Sequence, residues 1–377
     1  MTPADPATSP AAEALRLDAV LLARLEAVRD RELAARRAEV VRIAPEAETL
    51  VDRLTEYLDG GKLLRPRFAF HAAVAALGRE PEDAELESLA CIGTAIELVQ
   101  AAALMHDDVI DHSDTRRGRP ALHVAEAADH RAQGWAGSAE DFGAATAIVL
   151  GDLTLTWAEQ LAATAGLTGS GRAEFEALRS EVMVGQYLDV LHQAGGFASP
   201  ASAEEAALAV IRWKTVPYTT QRPVRIGAAG VGAPAAVVDG LDAWAVEIGT
   251  AFQLRDDLLS VAGDTDATGK PLGGDVTEGK RTVLLARTEE ASDAAGRALL
   301  DRVVGDPDAS PEDVAAVQRL MVDTGAVASV AAQVQEQSGR ATAMLTGLPD
   351  LGETGRAGLQ ALADRATDVR EFLDPRG

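Results

Sequence analysis

Gln100-Ala-Ala-Ala-Leu-Met-His-Asp-Asp-Val-Ile-Asp111 closes a run of apolar and small residues that begins at Ala84. Their recurrence at spacings of three and four predicts one long helix. On it Asp107 and Asp111 stand one turn apart on one face, with Asp108 close by and Gln100 and Leu104 below them. Two carboxylates at this spacing suit Mg²⁺, a hard cation that takes carboxylates and completes its shell with water and substrate phosphate oxygens. Asp114-Thr-Arg-Arg-Gly118 follows at once and sets cations beside the carboxylates. That arrangement suits an anion bridged by metal and clamped by arginine. An isolated Asp-Asp-x-x-Asp is more often a solvated helix end with local ion pairs; the paired arginines favour the site.

The same period recurs in Ala14–Ile43, Ala144–Ala165, Ala173–Ala194, Ala203–Ala229, Val237–Ala262, Thr282–Val304 and Val327–Leu345. Alternating β-branched runs are absent, and Gly and Pro mark the breaks, among them Gly60-Gly61, Gly118–Pro120, Gly195-Gly196 and Gly263–Gly274. No fixed-period repeat and no long linker interrupts the pattern. The expected fold is all-α: a single large helical bundle over residues 13–377 with a central active-site cavity between facing helices. Residues 1–12, rich in Ala, Pro, Thr and Ser, lack the basic and apolar regions of a signal peptide and are expected to form a disordered tail.

A second acidic helix repeats the device. In Phe252-Gln-Leu-Arg-Asp-Asp-Leu-Leu-Ser-Val-Ala-Gly-Asp264, Asp256, Ser260 and Asp264 fall four apart, with Asp257 beside Asp256. A Gly-rich loop with Lys270 follows, then Glu278-Gly-Lys280-Arg-Thr. Two such clusters facing each other across a cavity would hold several Mg²⁺ on one diphosphate.

The composition agrees. A net charge of −24 makes the chain a poor ligand for nucleic acid, whose binding rests on Lys and Arg contacts to phosphate. Of 35 lysines and arginines only four are lysines: Lys62, Lys214, Lys270 and Lys280. Each lies beside another phosphate-binding signal, where a compact point charge differs from the planar arginine fork. The one cysteine, Cys91, sits in an apolar stretch and reads as a buried small hydrophobe. No apolar run reaches the roughly 20 residues that span a bilayer, so no integral membrane segment is expected, and a cytoplasmic location is.

These motifs closely resemble those of the trans-isoprenyl diphosphate synthases, the polyprenyl synthetase family, over residues 54–286. The resemblance implies an Mg²⁺-dependent prenyltransferase that joins isopentenyl diphosphate to an allylic diphosphate, with three Mg²⁺ per active site and a homodimeric assembly. Gly60-Gly-Lys-Leu-Leu-Arg-Pro66 looks like the isopentenyl diphosphate loop, with Lys62 and Arg65 as ligands completed by Gln100. Asp107, Asp108 and Asp111 match the first aspartate-rich motif, and Asp256 and Asp257 the second; these five are the implied metal ligands and, with Lys214, the implied catalytic groups. Arg116 would bind the allylic and Arg117 the isopentenyl diphosphate. Lys214, Thr215, Gln253, Lys270 and Lys280 complete the implied substrate ligands, and Gly185-Gln-Tyr-Leu-Asp189 matches a motif near the allylic site.

One departure stands out. Ser260 replaces the usual last aspartate, and Asp-Asp-x-x-Ser-x-x-x-Asp264 also resembles the metal triad of class I terpene cyclases, which keeps a one-substrate cyclisation open. A non-catalytic subunit of a heteromeric synthase would lack one aspartate motif, and both are present. Against the cyclase stands the Lys62/Arg65/Arg117 set, which a single-diphosphate enzyme does not need. In the resembled family, aromatic residues just before the first motif accompany short products. Ala102 and Ala103 leave that floor open, so a linear C20 product, geranylgeranyl diphosphate, is expected, with farnesyl or longer products as alternatives. Trp157 is a candidate floor from a neighbouring helix, though it and Phe142 also suit packing, and Trp213 suits the core. His106 and His123 suit orienting or structural roles. His71, His112, His130 and His192 show no zinc spacing.

Overall fold

The computed structural model describes residues 9–195, 202–262 and 273–373. Among them the only strands are two residues each, Thr115–Arg116 (β1) and Arg119–Pro120 (β2). The rest is helix and turn, as the periodicity predicts. Lys270 and Asp264 lie outside the described residues.

The chain divides into two compact units. One comprises residues 1–176, 223–238 and 349–359; the other 177–222, 239–348 and 360–377. A single bundle was the expectation. The divisions after 176, 238 and 359 fall inside helices, so no linker composition marks them.

In the first unit, α1 (Pro10–Ile43) begins with Ser9 accepting the Ala12 N–H and Pro10 at the first helical position, so the helix takes in the last three residues of the expected tail. Next come α2 (Glu48–Leu58) and α3 (Leu64–Leu77), then α4 (Asp83–Ile110), which opens on a reciprocal Glu82/Glu85 capping box. α5 (Leu122–Gln133) and α6 (Ala139–Thr164) pack on α4 and on each other. Phe68, Ile92, Ile96 and Val99 are buried at this centre. By length and composition alone α4 could cross a membrane, but 78% of that window is buried within the fold, as in a core helix.

Two buried polar side chains, Asp18 and His71, and the part-buried Arg67 fasten α1 to α3. Arg67 donates two bonds of 2.7 Å to Asp18, and His71 Nε2 lies 3.3 Å from the same carboxylate. Burial alone would raise the Asp18 pKa, but hydrogen bonds from His71 and Arg67 outweigh it and hold it at about 2. A carboxylate depressed in the folded state contributes stability that is complete above its unfolded pKa of about 3.9 and is lost as pH falls through the folded value. Asp18→Asn is therefore expected to destabilise the protein by about 3 kcal/mol near neutral pH, because it strands a part-buried guanidinium. The difference from wild type should shrink between roughly pH 4 and 2. Urea unfolding across that range measures it; an equal difference at every pH would refute the assignment.

In the second unit, α7 (Gly169–Gln193) contributes its later turns. α8 (Ala203–Val210) passes through π-helical turns at Ile211–Thr215 and Pro217–Gln221 to Arg222, the first residue of α9 (Arg222–Gly230), whose other residues belong to the first unit. α10 (Ala235–Ala262) and the helices Val283–Ala291, Ala294–Val303, Pro311–Asp323 and Ala326–Gly347 surround a core that includes Leu254, Leu258, Val283, Val317 and Val330. The predicted helix 282–304 is broken at Ser292-Asp293, where Asp293 caps the next helix by accepting from Gly296.

Candidate active site

The first unit carries two of the expected ligand sets. Asp107, Asp108 and Asp111 end α4, so three carboxylates crowd the negative end of a helix dipole. Such an arrangement favours a bound cation. The doublet divides its labour. Asp107 is half-buried, whereas Asp108 is 1% exposed and accepts from the Tyr57 hydroxyl and the Arg116 guanidinium. Burial first, and then the Asp108 charge, push the Tyr57 phenol well above its ordinary range, so it stays a donor. Arg116, expected as an allylic ligand, pairs with Asp108 here.

The turn after α4 is a two-residue hairpin. Arg117 and Gly118 both take positive φ, 52° and 72°, as a type I′ turn demands. Arg117 therefore sits in a conformation that a non-glycine residue rarely adopts. Its Nη1 donates to the carbonyls of Tyr57, at 3.1 Å, and Asp59, at 2.9 Å. These bonds bring it to the Gly60–Pro66 loop, where its guanidinium lies against Gly61. Leu63, left-handed with φ 48°, ends the loop, and no side chain caps the first turn of α3. An uncapped helix N-terminus flanked by Lys62 and Arg65 is suited to a diphosphate. Gln100 is half-buried on α4.

His106 Nε2 lies 3.2 Å from the Ile148 carbonyl of α6, and its ring fills the space that a side chain at Gly151 would need. Either an orienting or a structural role was expected of it, and this contact ties α4 to α6. Ala102, one turn earlier on that face and fully buried, belongs to the α6 contact. Ala103 stands one turn before Asp107 and is half-buried. Trp157 is not on the Asp107 face. It lines a small cavity with Leu98, Thr94 and Arg36, the last 5.9 Å from its ring centre. Leu98 and Asp107 are nine residues apart, half a turn out of phase on α4. Trp157 is therefore a packing residue.

In the second unit the other doublet splits in the same way. Asp256 is exposed; Asp257 is buried and accepts a 2.7 Å bond from Gln253 Nε2. Gln253 Oε1 in turn accepts from Thr215 at 2.7 Å. Burial, and then the charges of Asp275 and Asp256, raise the Asp257 pKa well above the carboxylate range, opposed by Gln253 and Lys280. Lys280 pairs with Glu278 at 2.7 Å and Asp275 at 3.3 Å. Ser260 donates back to the Asp257 carbonyl at 2.9 Å.

Lys214 occupies the π-helical turn, and Asp189 of α7 holds its Nζ at 2.6 Å. Pro217 lacks the N–H that would bond the Trp213 carbonyl in an α-helix; the bonds run instead from Val216 to Ile211 and from Arg222 to Pro217. Such π turns are frequent at functional sites. Trp213, expected in the core, is 38% exposed and lies in the π-helical turn. Sequence reasoning missed Tyr57, the pairing of Asp189 with Lys214, and Glu97, a buried carboxylate one turn before Gln100. For the last the signal was a lone charge within an apolar stretch.

Among the described residues no three His, Cys, Asp or Glu side chains form a ready metal cage. One or two outward carboxylates per cluster fit a hard cation that binds with substrate phosphate, and do not fit a structural zinc.

The polyprenyl synthetase family pattern matches residues 47–321. A solved geranylgeranyl pyrophosphate synthase from Corynebacterium glutamicum, complexed with isoprenyl diphosphate and magnesium, is 37% identical; the match covers 92% of this chain and 99% of that one, with a TM-score of 0.83. The nonaprenyl diphosphate synthase of Mycobacterium tuberculosis is 30% identical over 353 residues, 91% of this chain and 90% of its own. A short chain isoprenyl diphosphate synthase of Methanothermobacter thermautotrophicus is 30% identical over 269 residues, 69% of this chain and 73% of its own. With its paired carboxylate helices and cationic loops, the chain belongs to the polyprenyl synthetase family of trans-isoprenyl diphosphate synthases, which are prenyltransferases.

Proposed function

We propose that the chain condenses isopentenyl diphosphate with allylic diphosphates to a linear trans product of 20 carbons. The observation that carries this reading is the cationic set Lys62, Arg65 and Arg117, which belongs to the first unit while Lys214 belongs to the second. Two diphosphate-binding sets serve two diphosphate substrates, and a cyclase has only one. The Ser260 hydroxyl, turned back onto its own helix, adds no support for a cyclase triad.

Asp107, Asp111 and Asp256, the outward members of the clusters, would hold Mg²⁺. When bound, the metal offsets the charge that develops on the departing diphosphate. Lys214, held by Asp189, and Lys280 add fixed positive charge for the same group. Lys62, Arg65, Gln100 and Arg117 hold isopentenyl diphosphate with its double bond toward the allylic carbon. As the allylic C–O bond breaks, that double bond forms the new C–C bond. A proton then leaves the adjacent carbon, with the released diphosphate as its acceptor. The chain supplies position and a site that excludes water, and no covalent nucleophile is needed.

The relatives' names run from short chain to nonaprenyl, so product length must be argued from this chain's own residues. Ala103, one turn before Asp107, offers no bulk to a growing chain along α4. One turn is about 5.4 Å, close to one extended isoprene unit. Ala103→Phe is expected to shorten the product to C15 or C10. The experiment pairs labelled isopentenyl diphosphate with each allylic primer and identifies the dephosphorylated products. Cyclic hydrocarbon from farnesyl or geranylgeranyl diphosphate alone would overturn the synthase reading. An unchanged length in active Ala103→Phe would show that the chain does not pass this face.

A further inference from the structure

Glu97 has no role in the reaction as written, yet it lies behind the cations that the reaction needs. It is 9% exposed, and its Oε1 has no hydrogen-bond donor within reach. A side chain built on Gly61 would sit 3.7 Å from its Oε2 and 3.4 Å from the Arg117 guanidinium. Gly61 from the loop before α3 and Arg117 from the hairpin thus lie beside it, and the charge of Arg65, from the first turn of α3, acts on it. All belong to the set assigned to isopentenyl diphosphate, and the inference rests on that assignment.

A carboxylate buried with an open oxygen costs several kcal/mol unless cations offset it. Here Arg65 and Arg117 do so, and conversely the carboxylate relieves their mutual repulsion while no anion is present. Burial, opposed by those two arginines, still leaves the Glu97 pKa raised to about 7. An arriving diphosphate competes for the same cations and adds negative charge nearby. Both effects favour the neutral carboxyl.

The other charged groups around it are accounted for. Arg29 of α1 faces Asp30, at 3.0 Å, and Asp59, at 3.9 Å. Tyr57, at the end of α2, is committed to Asp108. Lys62 is exposed on the loop.

We propose that Glu97 is a positioning residue of the isopentenyl diphosphate site, which holds Arg65 and Arg117 together in the free enzyme and takes up a proton when a diphosphate occupies the site. Binding is then linked to protons through one side chain: the proton comes from solvent, and no other bond changes.

The test is calorimetric titration of the full chain with isopentenyl diphosphate and no allylic partner, in buffers of different ionisation enthalpy, from pH 6.5 to 8.5. Wild type should take up more protons per ligand than Glu97→Gln above pH 7. Its Kd should rise by up to about tenfold per pH unit there, while that of Glu97→Gln stays nearly flat. Glu97→Gln keeps an oxygen for the arginines and should bind within about threefold of wild type at pH 7. Glu97→Ala, which keeps none, should lose tenfold or more. Equal proton uptake and equal pH slopes in wild type and Glu97→Gln, with binding still abolished by Arg117→Ala, would overturn this inference alone. Binding indifferent to both Lys62→Ala and Arg117→Ala would overturn the site assignment and the inference with it.

Discussion

Asp107→Ala is expected to lower kcat by about three orders of magnitude with the fold intact, and Asp256→Ala by a similar factor. A loss of that size corresponds to about 4 kcal/mol of transition-state stabilisation, a reasonable share for one carboxylate that fixes a metal on the leaving diphosphate. Asp107 is half-buried and Asp256 exposed, whereas their neighbours Asp108 and Asp257 are buried, so removing the first two disturbs the core less. Asp108→Ala should behave differently. It strands Tyr57 and Arg116, so its loss should appear in thermal stability as well as in kcat. The measurement is single-turnover kinetics over a range of Mg²⁺, with melting curves alongside. Near-normal turnover of wild type in EDTA, or of either outward variant, would sink the metal-assisted reading. Equal melting temperatures for Asp107→Ala and Asp108→Ala would sink the division within the doublet.

That division marks where sequence reading stops. Periodicity suffices to find α1, α6 and α10, because each buries a stripe across many turns, while α4, buried all round from Leu89 to Val99, shows as a long apolar stretch. It does not single out α2 or α3, which are short, nor the hairpin, whose two-residue strands have no pattern to read. The carboxylates, the arginine pair and the lysines are legible as a set, because their chemistry depends on residue type and local spacing. What each does within the set is not. Asp107 and Asp108 are adjacent and identical in type, and only the positions of Tyr57 and Arg116 tell them apart. Likewise Glu97 becomes informative only once the charges of Arg65 and Arg117, 32 residues earlier and 20 later in the chain, are found to act on it.

The motif that begins at Gly185 gives the second large effect. A methyl group on Gly185 would lie 2.6 Å from the Trp213 carbonyl oxygen and 2.8 Å from the Lys214 Cα. Both are backbone atoms, so no side chain can swing aside, and either α7 or the π-helical turn must move. Four residues on, Asp189 sits on the same face of α7 and grips Lys214 at 2.6 Å. Gly185 and Asp189 therefore act together: one lets the helix approach, the other uses the approach to aim a lysine. Gly185→Ala should lower kcat/KM for the allylic diphosphate by about a hundredfold, the usual cost of misplacing a catalytic group by about 1 Å. The KM for isopentenyl diphosphate, assigned to another unit, should change by less than about threefold. Val184→Ala, at an exposed neighbour, is the control and should leave both constants unchanged. The decisive measurement is the cycle of Gly185→Ala, Lys214→Ala and the double variant. If Gly185 works through Lys214, the alanine at 185 costs little once the lysine is gone. Full additivity, or normal allylic kinetics in a folded Gly185→Ala enzyme, would show that the close approach of α7 to the π-helical turn serves packing and does not aim Lys214.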